Sequence, residues 1–96
     1  MTAEMDDPEF ELYADFADDW DRFSPEFRKA LGEFLEILQK KYYDRDFLRG
    51  SQEQEKYWAT AFEEHGYKVL WKPRYPNSYS LNQRAKSILI VAIEPL

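Results

Sequence analysis

Ser24 to Tyr43 reads SPEFRKALGEFLEILQKKYY, and this stretch organises the chain on either side of it. Phe27, Ala30, Leu31, Phe34, Leu35, Leu38 and Tyr42 recur at steps of three and four residues. That period gathers them into one apolar stripe on an α-helix, so the helix must lie against a core. Ser24 suits the N-cap, and Pro25 falls at the first helical position, where its missing N–H costs nothing. Glu26 in the first turn favours the helix dipole. Glu36 and Lys40, four residues apart with the acid first, are expected to pair. Gly32 stands in mid-helix, where it costs about 1 kcal/mol relative to alanine unless a close approach needs it.

Upstream, Met1 to Pro8 is acidic and has no apolar period, which predicts a disordered tail over 1–8 and a single domain over 9–96. Phe10, Leu12, Ala14 and Phe16 alternate with Glu11, Tyr13 and Asp15, the pattern of a half-buried strand. Phe16, Trp20 and Phe23 then follow helical spacing, so the strand is expected to run into a short helix.

Downstream, Asp44 to Glu55 reads as a polar connector holding Phe47, Leu48 and Gly50. Three strands follow. In Tyr57 to Glu64, Trp58, Thr60 and Phe62 share a face. In Tyr67 to Arg74, Tyr67, Val69 and Trp71 share one face, and Lys68, Leu70, Lys72 and Arg74 the other. His65-Gly66 supplies the turn of a hairpin between them. Ser87 to Glu94 is apolar on both faces, as a central strand is. Between the last two strands lies a long loop, Pro76 to Lys86, rich in Pro, Asn, Ser and Gln. The fold class is therefore α+β: a strand, two helices, then three antiparallel strands, with the helices packed on one sheet face.

The 96 residues suffice for one domain, and 44% hydrophobic with 18% aromatic content suffices for its core. There is no cysteine and only one histidine, His65, so neither a disulfide framework nor a thiolate or multi-histidine metal site is expected, and no cofactor is implied. The longest apolar run, Ile88 to Ile93, is far too short for a membrane span. The acidic start lacks the features of a signal peptide, so the expected location is the cytoplasm. The net charge of −6 divides into −9 over residues 1–38 and +3 over 39–96. Only the basic end could meet nucleic acid; the acidic front could face a basic protein partner, and either charge set could equally serve solvation.

Asp15 to Leu38 (DFADDWDRFSPEFRKALGEFLEIL), Phe47 to Gly50 (FLRG), His65 to Trp71 (HGYKVLW) and Ser87 to Ile93 (SILIVAI) occur in this order. Together they resemble the RelE/ParE toxin superfamily of type II toxin–antitoxin modules: an amphipathic helix pair, an "-LRG-" connector, a "GYR-hydrophobic-hydrophobic-Tyr" strand and an apolar last strand. The resemblance spans roughly residues 10–94. It implies a sheet with helices on one face and one of two activities, ribosome-dependent mRNA cleavage or poisoning of DNA gyrase. It also implies a cognate antitoxin protein as partner, with the ribosome and mRNA as further partners of a RelE-like member.

RNA cleavage through the 2′-hydroxyl needs a proton acceptor, charge to stabilise the phosphorane and an acid for the leaving group. RelE-like enzymes supply these from Lys, Arg and a C-terminal Tyr or His. The family arginine falls on Lys68, the one catalytic candidate here, which keeps the charge without the bidentate fork. The basic positions of the preceding strand fall near Ala59 and Ala61, the one after the last strand falls near Leu96, and the tyrosine has no counterpart. Lys68, Lys72, Arg74, Arg84 and Lys86 form a candidate nucleic-acid-binding strip, with Tyr75 and Tyr79 available for base stacking. The alternative reading of that strip is a solvated strand face. His65 reads as a turn residue before it reads as a base. Glu63 and Glu64, as strand neighbours, point to opposite faces and cannot act as a pair. Trp58 and Trp71 read as core. Three functions remain: a toxin with a degenerate mRNA-cleaving set, a non-catalytic protein-binding module on the same fold, or a gyrase poison.

Overall fold

The computed structural model describes residues 7–48, 51–53, 56–75 and 85–96. The elements are β1 (Glu9–Leu12), α1 (Phe16–Arg22), α2 (Pro25–Lys41), α3 (Arg45–Leu48), β2 (Ser51–Glu53), β3 (Trp58–Phe62), β4 (Tyr67–Arg74) and β5 (Ser87–Pro95). The α+β class holds. One five-stranded sheet runs in the order β1-β5-β4-β3-β2.

α2 forms as its sequence dictates. Ser24 Oγ accepts the Phe27 N–H at 3.1 Å, Pro25 opens the helix, and Phe27, Leu31 and Leu38 are buried. No ion pair joins Glu36 to Lys40, and both are exposed; an i,i+4 pair in water is worth only a few tenths of a kcal/mol, too little to hold two long side chains together. The stripe packs on β3 and β4. Phe27 stacks on Tyr67 at 4.7 Å and meets Phe62 edge-on at 5.4 Å, while Phe34 meets Phe62 at 5.3 Å. Val69, Trp71, Ile88, Ile90 and Ile93 complete the core on the same side, so the helices cover one sheet face.

Trp71 is fully buried and stacks on Trp58 at 6.1 Å. Its indole N–H donates to Thr60 Oγ1 at 3.0 Å, so burying the ring leaves no orphaned donor. The β3–β4 turn covers Glu63 to Gly66. The N–H groups of His65 and Gly66 both donate to the Phe62 carbonyl, and Gly66 sits at φ +79°, open to glycine at no steric cost.

Further readings need correction. The front strand ends at Leu12, not Phe16, because the Phe16 N–H bonds back to the Tyr13 carbonyl and starts α1. β1 pairs with β5 in parallel, so the sheet is mixed; the helices between the two strands supply the crossover that a parallel pair requires. The polar connector holds two short elements, α3 and β2. Asp44 Oδ1 accepts the Asp46 and Phe47 N–H groups at the start of α3. β2 pairs with β3, where Ser51 and Thr60 hydroxyls lie 2.5 Å apart. Last, β3 ends at Phe62, which leaves Glu63 and Glu64 exposed in the turn rather than on opposite strand faces.

β5 carries a bulge. Leu70 faces Ala92 and Trp71 faces Ile90, leaving Val91 as the extra residue. The bulge lets Ile90 and Ile93 both face the helices, which is why Ile88 to Ile93 shows no clean alternation. At the front, Pro8 is buried and its carbonyl accepts from Gln39 Nε2 at 2.7 Å, so the folded chain includes Pro8. The rest of the expected tail, 1–6, lies outside the described residues, as do 76–84 of the expected loop. Among the described residues, no helix is long and apolar enough to cross a membrane.

Candidate functional site

The sheet face away from the helices carries the charged candidates. β4 alternates, so Lys68, Leu70, Lys72 and Arg74 share that face as expected. Their neighbours on β5 are Glu94, Ala92, Leu89 and Ser87. Lys68 Nζ approaches Glu94 Oε1 at 3.9 Å, and both side chains are about half exposed. Lys72 has no ion pair among the described residues. Arg84 falls outside them, as does Tyr79.

Arg74 is held more firmly. Its Nη1–H donates to Glu11 Oε1 at 2.9 Å, reaching across β5 to the edge strand β1. The other Glu11 oxygen, Oε2, accepts the hydroxyl of Ser87, the one buried polar side chain among the described residues. Glu11 thus clasps three strands, β1, β5 and β4. Neither the clasp nor its acid was legible in advance, since Glu11 and Arg74 are 63 residues apart and only the β1–β5 pairing brings them together.

Beside the clasp, Glu9, Phe10, Glu11, Arg74, Tyr75, Lys86 and Ser87 line a polar recess of about 430 Å³. Lys86 joins the strip here: its N–H donates to the Arg74 carbonyl at 2.7 Å and its side chain is exposed. Tyr75 is half exposed, and burial of its hydroxyl, followed by the nearby Tyr42, raises its pKa above the ordinary value. Tyr42 itself is buried and its hydroxyl accepts the Ala85 N–H at 2.8 Å, which anchors the described start of β5's approach. Among the described residues of this face and its end, four cations (Lys68, Lys72, Arg74, Lys86) meet three carboxylates (Glu9, Glu11, Glu94), a net charge of +1.

The other candidates are placed as follows. His65 lies in the turn with its ring 5.5 Å from Phe27, against the core edge. Ala59 and Ala61 stand opposite Leu70 and Lys68 on β3, so the β4 cations have no basic neighbours there. Leu96 is exposed, its N–H bonded to the Gly66 carbonyl. Trp71 belongs to the core, and the partly buried Trp58 packs against it. Among the described residues, no group of three or more His, Asp or Glu is arranged to hold a metal ion.

A second feature lies on the helix side. Phe10, Leu12, Phe16, Ala17, Trp20, Asp21 and Leu35 line an open groove of about 460 Å³ along β1. Leu12 is 49% exposed there. On α1, Asp19 is engaged, accepting from Tyr13 Oη at 2.7 Å and pairing with Arg22. Burial of Tyr13, reinforced by the Asp19 carboxylate, pushes its phenol pKa up. The apolar pattern of 10–16 contained the signal for this groove, because Phe10, Leu12 and Phe16 share a side despite the turn between them. Comparison with protein-family models, curated proteins and solved structures gives no match to this chain.

Proposed function

We propose that this chain is a non-catalytic protein-binding module on a RelE/ParE-like scaffold, acting by contact with a protein rather than by cutting RNA. One observation carries the reading: the basic strip on β4 is answered by acids on its own sheet. Arg74 is bound by Glu11, Lys68 faces Glu94, and the described residues of the face net only +1. Affinity for nucleic acid grows with the number of phosphates neutralised, and a nearly balanced face neutralises few. Among the described residues, the strand beside Lys68 offers no second cation for a phosphorane, since Ala59 and Ala61 occupy it.

The order of β1, the helices α1 and α2 and the antiparallel strands β3 to β5, with α3 and β2 between them, supports the RelE/ParE-like scaffold, and with it a cognate antitoxin or a gyrase-like target as the protein bound. The test is affinity capture with the full chain from its native host, with growth and translation followed during expression. A stable stoichiometric protein partner with intact cellular mRNA is expected. Growth arrest accompanied by mRNA cleavage would instead establish the mRNA-cleaving toxin, and inhibited supercoiling by purified gyrase would name gyrase as the target.

A second reading rests on Lys72. It has no ion pair among the described residues and stands between Lys68 and Arg74 on one strand face. Exposed ion pairs are worth under about 1 kcal/mol, so RNA phosphate could displace Glu94 from Lys68. This gives a weak RNA-binding strip without a cleavage set, detected as salt-dependent RNA binding that Lys72→Ala removes.

A further inference from the structure

We infer that Glu11 is an autoinhibitory lock on the basic strip. While its carboxylate holds Arg74, the sheet face withholds that cation from single-stranded RNA. Removing the carboxylate turns a nearly balanced face into an RNA-binding one. The inference rests on the second reading above, in which the strip meets RNA phosphates.

The lock comes from outside the strip. Lys68, Lys72 and Arg74 lie on β4, and Lys86 directly precedes β5. Glu11 comes from β1, the edge strand on the far side of β5. Its Oε1 accepts from Arg74 Nη1 at 2.9 Å, so the contact spans the width of β5. That takes up one prong of the fork of N–H donors with which arginine meets a phosphate.

Two features separate this contact from an ordinary surface pair. The first is its second tie. Glu11 Oε2 accepts the hydroxyl of the buried Ser87, so both carboxylate oxygens are held and the charge stays beside Arg74. Lys68 and Glu94 show the contrast: they stand 3.9 Å apart, and Glu94 has no second tie among the described residues. The second feature is the charge that β1 brings. Glu9 and Glu11, two residues apart on the strand, fall on the same side of the sheet. Without them the described cations of the face meet Glu94 alone, and its net charge goes from +1 to +3. Four residues of edge strand therefore set how strongly the face draws phosphate.

The test follows binding of a short fluorescent oligouridylate to the full-length chain by anisotropy, over a series of salt concentrations. Glu11→Gln keeps an oxygen to accept the Ser87 hydroxyl and removes the charge held against Arg74. It should bind RNA about fivefold more tightly at low salt, the effect of releasing one exposed ion pair. Its salt slope should steepen by about 0.7, one further phosphate neutralised on a single strand. Adding Arg74→Gln should take both gains away. Glu9→Gln makes the same change in net charge, and Glu9 has no ion pair with Arg74 among the described residues, so its slope should stay unchanged. Glu11→Ala combined with Ser87→Ala leaves no stranded hydroxyl and should repeat the gain, which guards against a folding defect in Glu11→Gln. No gain in either Glu11 variant, an equal change of slope in Glu9→Gln, or a gain that survives Arg74→Gln would overturn the inference. RNA binding by the unaltered chain that Lys72→Ala removes, with no gain from Glu11→Gln, overturns the lock and leaves the strip reading standing. No binding by the unaltered chain, with Arg74-dependent binding by Glu11→Gln, does the reverse.

Discussion

Replacing Gly32 by alanine should make this protein more stable. Gly32 lies in the interior of α2, away from both caps. A Cβ built there meets nothing within 4 Å, so alanine brings neither collision nor new packing. What remains is the backbone term. Glycine in a helix interior is about 0.8–1 kcal/mol worse than alanine, chiefly because the unfolded chain loses less freedom when glycine is replaced. Unfolding entropy near 60 °C is about 2.1 cal/mol/K per residue, or roughly 0.2 kcal/mol/K for a chain of this size. A gain of about 1 kcal/mol therefore raises Tm by roughly 5 °C. Thermal unfolding by far-UV circular dichroism measures it. Urea unfolding checks it, with the midpoint rising and the slope m unchanged. Gly66→Ala is the control of opposite sign: at φ +79° an alanine should cost about 1–2 kcal/mol. An unchanged or lowered Tm for Gly32→Ala would refute the reasoning, because it would mean that a close approach, not chance, keeps glycine there.

Other expectations follow from the contacts. Glu11→Ala strands the buried Ser87 hydroxyl and frees Arg74, so it should cost about 1–3 kcal/mol; adding Ser87→Ala should recover part of that loss, as chemical denaturation of both variants will show. The raised Tyr13 phenol keeps its proton in the fold above its ordinary value of 10.0, where the unfolded chain loses it. Its stabilisation is therefore complete below pH 10 and falls as pH rises beyond that; Tyr75, raised likewise, adds to the slope. Tyr13→Phe should flatten the decline of Tm in alkaline solution. Leu38→Ala, at a fully buried position of α2, should cost about 2–5 kcal/mol in urea unfolding.

The parts legible in the sequence were those with a long period or a strong local signal. α2 carried a stripe along all 17 residues with a Ser-Pro start, and the β3–β4 hairpin carried a glycine where the backbone needs a positive φ. α3 and β2 escaped notice because four and three residues are too few to show a period. The bulge at Val91 escaped notice for another reason: it hides inside an apolar run whose two faces look alike. The parallel seating of β1 and the Glu11 clasp depend on pairing between distant segments, which no local pattern reports.

The candidate strip divides in the same way. The face shared by Lys68, Lys72 and Arg74 follows from strand alternation alone. That Arg74 is bound and Lys68 is answered by Glu94 depends on which acids the neighbouring strands bring. Sequence gives the sign of each charge, and tertiary pairing decides how much of it a ligand meets.

The most direct measurement is mRNA integrity on programmed ribosomes incubated with the purified full-length chain, with Lys68→Ala alongside. If the β4 face is too nearly balanced to hold and cleave RNA, the message stays intact with both proteins. Cleavage by the unaltered chain that disappears in Lys68→Ala would contradict the account and restore the strip as a nuclease site.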